Sequence, residues 1–263
     1  MNSLWAIVIL GLVQGLTELF PVSSSGHLAL AEHWLGFNPP GLAVDVMLHG
    51  GTLLAIVCYY RKRLIGLITG SLRGDPDTLR FVALLGVATI PVLVAGYLGE
   101  SFVERVADST GAVAVMLALT GLILLSLRWA TRMDAPLTWG RGILIGLAQA
   151  CAILPGISRS GSTIVAARHL GVTPERAAEF SFLLSIPAVS AACLWHILHF
   201  QPGEFSGIPL WHLWVGVAIA GGSGYVSLIL LNRLLKSPRF WIFGFYCLAI
   251  GLLAGLASVF NWF

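Results

Sequence analysis

Residues 81–98, 111–127 and 240–256 each run without one Asp, Glu, Lys or Arg and are almost wholly apolar. A bilayer core about 30 Å thick takes about twenty such residues as a helix. Hydrocarbon tolerates only structures that satisfy every backbone hydrogen bond internally. Composition extends the inference to the whole chain: 57% of the 263 residues are hydrophobic and 10% charged, against roughly a quarter charged in soluble domains. The sequence reads as an all-α polytopic membrane protein, one integral membrane domain over residues 1–263. The first apolar run lacks a basic leader and a small-residue cleavage site, so it is read as structure rather than as a signal peptide.

Charge sets the topology. Basic residues gather at Arg61, Lys62, Arg63, Arg73 and Arg80, then at Arg128, Arg132 and Arg141, then at Arg233, Lys236 and Arg239, which places those segments in the cytoplasm. The net-acidic segment 100–108 and segment 200–209, without Lys or Arg, belong outside, together with both termini. Six crossings follow, at about 41–60, 81–99, 111–128, 175–199, 211–231 and 240–261. Segments 4–36 and 142–170 remain, each an apolar stretch broken in its middle by Pro, Gly and Ser, and each reads as a re-entrant hairpin.

An internal repeat ties the two breaks together. At an offset of 135 residues Gly11 meets Gly146, Gln14 meets Gln149, Ser23 meets Ser158, Ser25 meets Ser160 and Gly26 meets Gly161. With one residue of slip Asp45 meets Glu179, a pair expected to brace the loops. Repeat one covers about 1–130 and repeat two about 140–263. Each carries one hairpin and three crossings, and an odd number of crossings makes the repeat inverted, with both breaks near the midplane.

The breaks carry the polar chemistry. Gln14 and Glu18, four apart, share a helix face with Gly11 and Gly15, whose missing side chains allow a neighbouring helix close. After Pro21, Ser23, Ser24 and Ser25 cap a helix expected over 26–36, with Gly26 giving the turn its freedom. In "LPGISRSGST", residues 154–163, Ser158 and Ser160 cap the matching helix around Arg159. Two helix N-termini and a guanidinium describe a phosphate site. A carboxylate beside phosphate implies an intervening cation, so Glu18 with Gln14 reads as a ligand pair for Mg²⁺ or Ca²⁺. His27, one turn after Ser24, is placed to share a proton with its hydroxyl. His33, His49, His169, His196, His199 and His212 read as interfacial hydrogen-bonding groups. Cys58, Cys151, Cys193 and Cys247 lack metal or redox spacing and read as packing residues. A net charge of +3 with no basic stripe excludes nucleic acid.

"QGLTE" at 14–18, "PVSSSGH" at 21–27 and "PGISRSGST" at 155–163 resemble the undecaprenyl-diphosphate phosphatase family, the bacterial bacitracin-resistance proteins, and the resemblance covers essentially the whole chain. It implies a multi-pass protein of the bacterial inner membrane that removes the terminal phosphate of a C55 polyprenyl diphosphate with a divalent metal, regenerating the lipid carrier of peptidoglycan synthesis. By position it implies Glu18 and Gln14 as metal and diphosphate ligands, Ser24 and His27 as the catalytic pair, and Ser158, Arg159, Ser160 and Thr163 as the phosphate cradle. Gln14 stands where many members carry Glu. Ser24 is favoured as nucleophile with His27 as base; attack by His27 itself or by water stays open. Expected partners are the lipid substrate, membrane lipids and a second copy of the chain. The rival reading is a transporter or flippase of polyprenyl phosphate, which shares the repeat but needs no nucleophile beside a carboxylate.

Overall fold

The computed structural model describes residues 3–37, 43–130, 134–200, 205, 207–235 and 239–260. Arg132, Lys236, half of segment 200–209 and the ends of two expected crossings (41–42 and 261) lie outside them. Eleven α-helices and no strand occur among the described residues: α1 Ser3–Leu19, α2 Ser24–Leu35, α3 Ala43–Tyr59, α4 Arg61–Leu72, α5 Pro76–Ala107, α6 Thr110–Leu125, α7 Trp139–Cys151, α8 Arg159–His169, α9 Pro174–Leu198, α10 Leu210–Leu234 and α11 Phe243–Val259. Short 3₁₀ turns extend α6 to Trp129 and precede α11 from Phe240.

Five helical stretches are long and apolar enough to cross a membrane: Pro76–Ala107, Thr110–Trp129, Pro174–Leu198, Leu210–Leu234 and Phe240–Val259. α3 and α4, which meet at a 72° bend, are long and apolar enough for a sixth when taken together. The protein is a multi-pass membrane protein. Large apolar side chains such as Leu54, Ile90, Leu93, Leu122, Leu230 and Leu252 stand on its outside, where hydrocarbon rather than protein covers them.

The bend corrects the expected loop at 61–80. The chain there continues as α4, in which the basic first turn Arg61–Arg63 is followed by the outward-facing Ile65, Ile68 and Leu72. The 72° bend turns α4 off the line of α3, and a helix with a basic end and outward apolar side chains suits a membrane interface. Asp75 then caps α5, with Pro76 in its first turn. The hydroxyl and amide of Thr78 both donate to the Asp75 carboxylate, which holds its carboxyl below the ordinary value. The expected outer loop at 100–108 is likewise mostly the last turns of α5, which closes at Ala107 before Ser109 caps α6.

The helices pair as two exchanged sets. Hairpin helix α1 and the following α3 both lie along α10; their counterparts in the second half, α7 and α9, both lie along α5. The counterparts α3 and α9 touch each other, as do α6 and α11. Each hairpin is thereby seated against a crossing of the other half. Glycine makes both seats possible: a Cβ on Gly11 would stand 2.8 Å from the Gly216 carbonyl oxygen, and one on its repeat mate Gly146 only 2.4 Å from that of Ala88. Asp45 and Glu179 have diverged in their partners. Glu179 accepts from Arg63 at 2.7 Å, whereas Asp45 shares a hydrogen bond with the Glu32 carboxyl.

Candidate active site

The two breaks meet. Between α1 and α2 the chain turns at residues 20–23, and between α7 and α8 at residues 152–158. A Cβ on Gly26 would lie 3.0 Å from the Cα of Gly156, and the Gly156 amide donates to Ser25 Oγ at 3.4 Å. Gly156 itself has φ +99°, and a Cβ there would strike Val113 O and Met116 Cβ at 2.6 Å. Thr120 on α6 fastens the second turn by donating to Gly156 O (2.8 Å) and accepting from Ser158 N (2.9 Å). Ser160 Oγ reaches the first break, donating to Phe20 O at 3.2 Å.

The capping reading needs one correction. α2 begins at Ser24, two residues before the expected start, with Ser23 alone as its cap. Ser23 Oγ accepts from Gly26 N, and Ser23, not Gly26, takes the left-handed backbone, at φ 68°. A non-glycine residue there carries strain of order 1–3 kcal/mol, which proteins retain mainly at functional sites. Gly26 lies inside the helix, where its lack of a side chain admits the second hairpin. Ser158 alone caps α8, accepting from Gly161 N at 3.0 Å, while Ser160, expected to share the capping, lies inside the helix.

Both helix N-termini, with the first-turn N–H groups that a helix leaves unpaired, open on a cavity of about 200 Å³. Glu18, Ser23, Ser24, Ser25, His49, Gln149, Ser158 and Arg159 line its polar side. Val92, Ile153, Ile157, Ala188 and Val189 line its apolar side. Val92 and Ala188 directly follow Pro91 and Pro187, the prolines inside α5 and α9, where each helix forgoes a backbone hydrogen bond. The space is below the roughly 300–1,000 Å³ of pockets for drug-sized ligands. It suits a phosphorylated headgroup whose hydrocarbon tail stays in the bilayer.

Glu18 is the hub. Its Oε1 accepts from Arg159 Nη2 at 2.5 Å, and its Oε2 accepts from Ser24 Oγ at 2.5 Å. Gln14 Nε2 lies 3.3 Å from the same Oε2 and donates also to Thr52 Oγ1, on α3, at 3.3 Å. The Glu18 and Arg159 side chains are 7% and 15% exposed, so two helices from opposite halves meet through a buried charge pair. Arg159 NH1 is 3.5 Å from Ser181 O, and Thr163 Oγ1 supports its helix by bonding Arg159 O (2.8 Å) and Ser181 Oγ (2.6 Å). Thr163 is fully buried behind Arg159 and is absent from the cavity wall, as are Gln14 and Ser160.

His27 goes elsewhere. Its Nδ1 bonds Ser23 O and its Nε2 bonds Tyr246 OH, both at 2.8 Å, with its ring stacked on the tyrosine. Three residues along α2 from Ser24, it faces α11 while Ser24 faces α1, so the expected proton sharing between them is replaced by the Ser24–Glu18 bond. The imidazole at the cavity is His49, read from sequence as interfacial. Its Nε2 stands 3.4 Å from Glu18 Oε2, and its Nδ1 is turned by Asp45 O at 2.7 Å. The overlooked signal is its position in an apolar crossing, where an ionisable residue is functional by default.

The donor set bears on a divalent cation. No group of three or more His, Cys, Asp or Glu side chains able to hold a metal occurs among the described residues, so a protein-only cage is not built. Beside Glu18, however, Gln14 Oε1 is buried without a hydrogen-bond partner. One carboxylate and one amide oxygen match the way Mg²⁺ is held when substrate phosphates and water supply the other ligands.

Fold and site define a polytopic membrane protein with an intramembrane serine–carboxylate–arginine centre at two apposed helix breaks. The family described as Bacitracin resistance protein BacA matches residues 7–253. Proteins named Undecaprenyl-diphosphatase are similar over nearly the whole length. That of Syntrophotalea carbinolica is 39% identical over 251 residues, 93% of this chain and 95% of the relative. That of Trichlorobacter lovleyi is 41% identical over 254 residues, 93% of each. That of Alcanivorax borkumensis is 40% identical over 258 residues, 93% of this chain and 95% of the relative. The chain belongs to the BacA family.

Proposed function

We propose that the protein is an undecaprenyl-diphosphatase of the bacterial inner membrane. It hydrolyses undecaprenyl diphosphate to undecaprenyl phosphate and phosphate, which recycles the lipid carrier of peptidoglycan synthesis and confers resistance to bacitracin. The observation that carries this reading is the 2.5 Å bond from the Ser24 hydroxyl to Glu18, at a helix N-terminus beside Arg159. A hydroxyl given to a buried carboxylate is an activated nucleophile; a carrier would gain nothing from it.

The residues divide the work. The diphosphate enters between the N-termini of α2 and α8, whose free amides favour an anion. Arg159 adds a guanidinium with donors left over after Glu18 and the Ser181 carbonyl. Ser24 Oγ attacks the terminal phosphorus in line while its proton passes to Glu18 Oε2. The bond from phosphorus to the bridging oxygen breaks, and its electron pair leaves on the polyprenyl phosphate. Water then cleaves the phosphoserine, Glu18 mediating the proton's return. Beyond the serine's attack, the protein's work is alignment and charge neutralisation. A divalent cation, when bound by Glu18 and Gln14, would neutralise part of the diphosphate charge. His27 holds the Ser23 carbonyl and so positions the strained cap from which α2 starts.

Phosphate release from undecaprenyl diphosphate by the purified protein in detergent tests the reading. Multiple turnovers are expected; binding of the lipid without phosphate release would favour the carrier instead.

A further inference from the structure

Gln149 lies in the last turn of α7, just before the second break, and lines the cavity, yet it plays no part in the mechanism above. It is 0% exposed, and neither its Nε2 nor its Oε1 has a hydrogen-bond partner. Native proteins rarely leave a buried amide with both ends unsatisfied, because its desolvation goes uncompensated.

The repeat explains how the amide came to be free. Its mate Gln14 donates to Glu18, four residues on, and to Thr52 on α3. The residue four after Gln149 is Ile153, and the position matching Thr52, at the offset that pairs Asp45 with Glu179, is Ile186. Both anchors of the first amide are isoleucine in the second half. Ile153 is on the cavity wall with Gln149, so the fold offers that amide no internal partner at a cavity also lined by Glu18, Ser24 and Arg159.

We infer that Gln149 is a diphosphate-binding residue, its amide donating to a phosphate oxygen of the lipid headgroup. The inference rests on the proposed diphosphatase reading and adds to it a neutral donor from α7, beside the apolar Ala152 and Ile153 that follow that helix. A neutral amide suits the position: it satisfies a phosphate oxygen without adding charge to a site that already holds a Glu–Arg pair.

The test is equilibrium binding of a non-hydrolysable probe, farnesyl methylenediphosphonate, to the full-length protein in detergent, with thermal unfolding followed in parallel. Gln149→Leu keeps the size and removes the polar atoms. It is expected to weaken probe binding roughly tenfold, the scale of a hydrogen bond to a charged group. Its unfolding temperature should be unchanged or higher, because an apolar side chain no longer buries an unsatisfied amide. Gln149→Met, more adaptable in shape, should behave in the same way and serves if the leucine variant misfolds. Gln149→Glu should bind the probe more weakly than either. Probe affinity within twofold of wild type in Gln149→Leu or Gln149→Met, or a loss accounted for by a lowered unfolding temperature, overturns the inference alone. Failure of the wild type both to bind the probe and to release phosphate from a polyprenyl diphosphate overturns the diphosphatase reading and the inference with it.

Discussion

Glu18 and Arg159, 141 residues apart in sequence and on hairpins of opposite halves, meet at 2.5 Å in the protein interior. Such a pair is costly to break, because removing one partner strands the other as a buried charge, typically at about 3–5 kcal/mol. Glu18→Ala and Arg159→Ala should each lower the unfolding temperature in detergent markedly. The double variant should be more stable than the sum of the two losses allows, since it strands neither charge. Strict additivity would mean that the two side chains do not depend on each other. Arg159→Lys tests shape separately: an ammonium keeps the charge but not the planar fork, so turnover should fall at least tenfold, about 1.4 kcal/mol.

The apposed glycines give a prediction with a built-in control. Gly156→Ala combines a left-handed backbone with a Cβ placed 2.6 Å from Val113 O, whereas Gly36, at φ +58°, would place its Cβ in open space. Gly36→Ala should cost about 1 kcal/mol, from the backbone alone. Gly156→Ala should cost clearly more and should abolish turnover even in the fraction that folds, by forcing the two breaks apart. Thermal unfolding and turnover per folded molecule, measured for both, decide this; equal behaviour would show that the closeness of the breaks is not what the site requires.

Removing divalent cations should stop turnover, and Mg²⁺ or Ca²⁺ should restore it, because Glu18 faces a diphosphate that it would otherwise repel. Gln14→Glu places a second carboxylate beside the first and should lower the metal concentration needed for half-maximal activity. An enzyme fully active in excess chelator would remove the cation from the account.

The parts of this design that were legible in sequence are those where polar or helix-breaking residues interrupt hydrocarbon. Pro21 with three serines, and Pro155 with Gly156, marked both breaks, and the matched polar pairs Gln14 with Gln149, Ser23 with Ser158 and Ser25 with Ser160 marked the repeat, since membranes leave few other reasons for such residues. The family motifs pointed to Glu18, Ser24 and Arg159 as site residues. Which of them touch was not legible, because a separation of 141 residues carries no distance. Spacing along α2 put His27 one turn from Ser24, but spacing alone does not say that one side chain faces α1 and the other α11. The positive φ at Ser23 rather than at Gly26 was hidden for a related reason: a glycine can serve a turn or a close approach, and only the packing of Gly26 on Gly156 distinguishes them. His49 belongs to no family motif and reads in sequence as interfacial, and Gln149, matched to Gln14 by the repeat, reads as a repeat position and not as part of the site.

Most directly at issue is Ser24 as the nucleophile that Glu18 activates. The decisive measurement is turnover of undecaprenyl diphosphate per folded molecule of Ser24→Ala, together with its affinity for the non-hydrolysable diphosphonate. Loss of the hydroxyl should remove turnover by roughly a thousandfold or more, while binding should change little, because Arg159 and the two helix N-termini still hold the anion. A serine that served only to shape the start of α2 would instead lose about 1 kcal/mol of stability, with activity falling only in proportion to folded protein. Near-normal turnover per folded Ser24→Ala molecule would contradict the account and transfer the attack to water or to an imidazole.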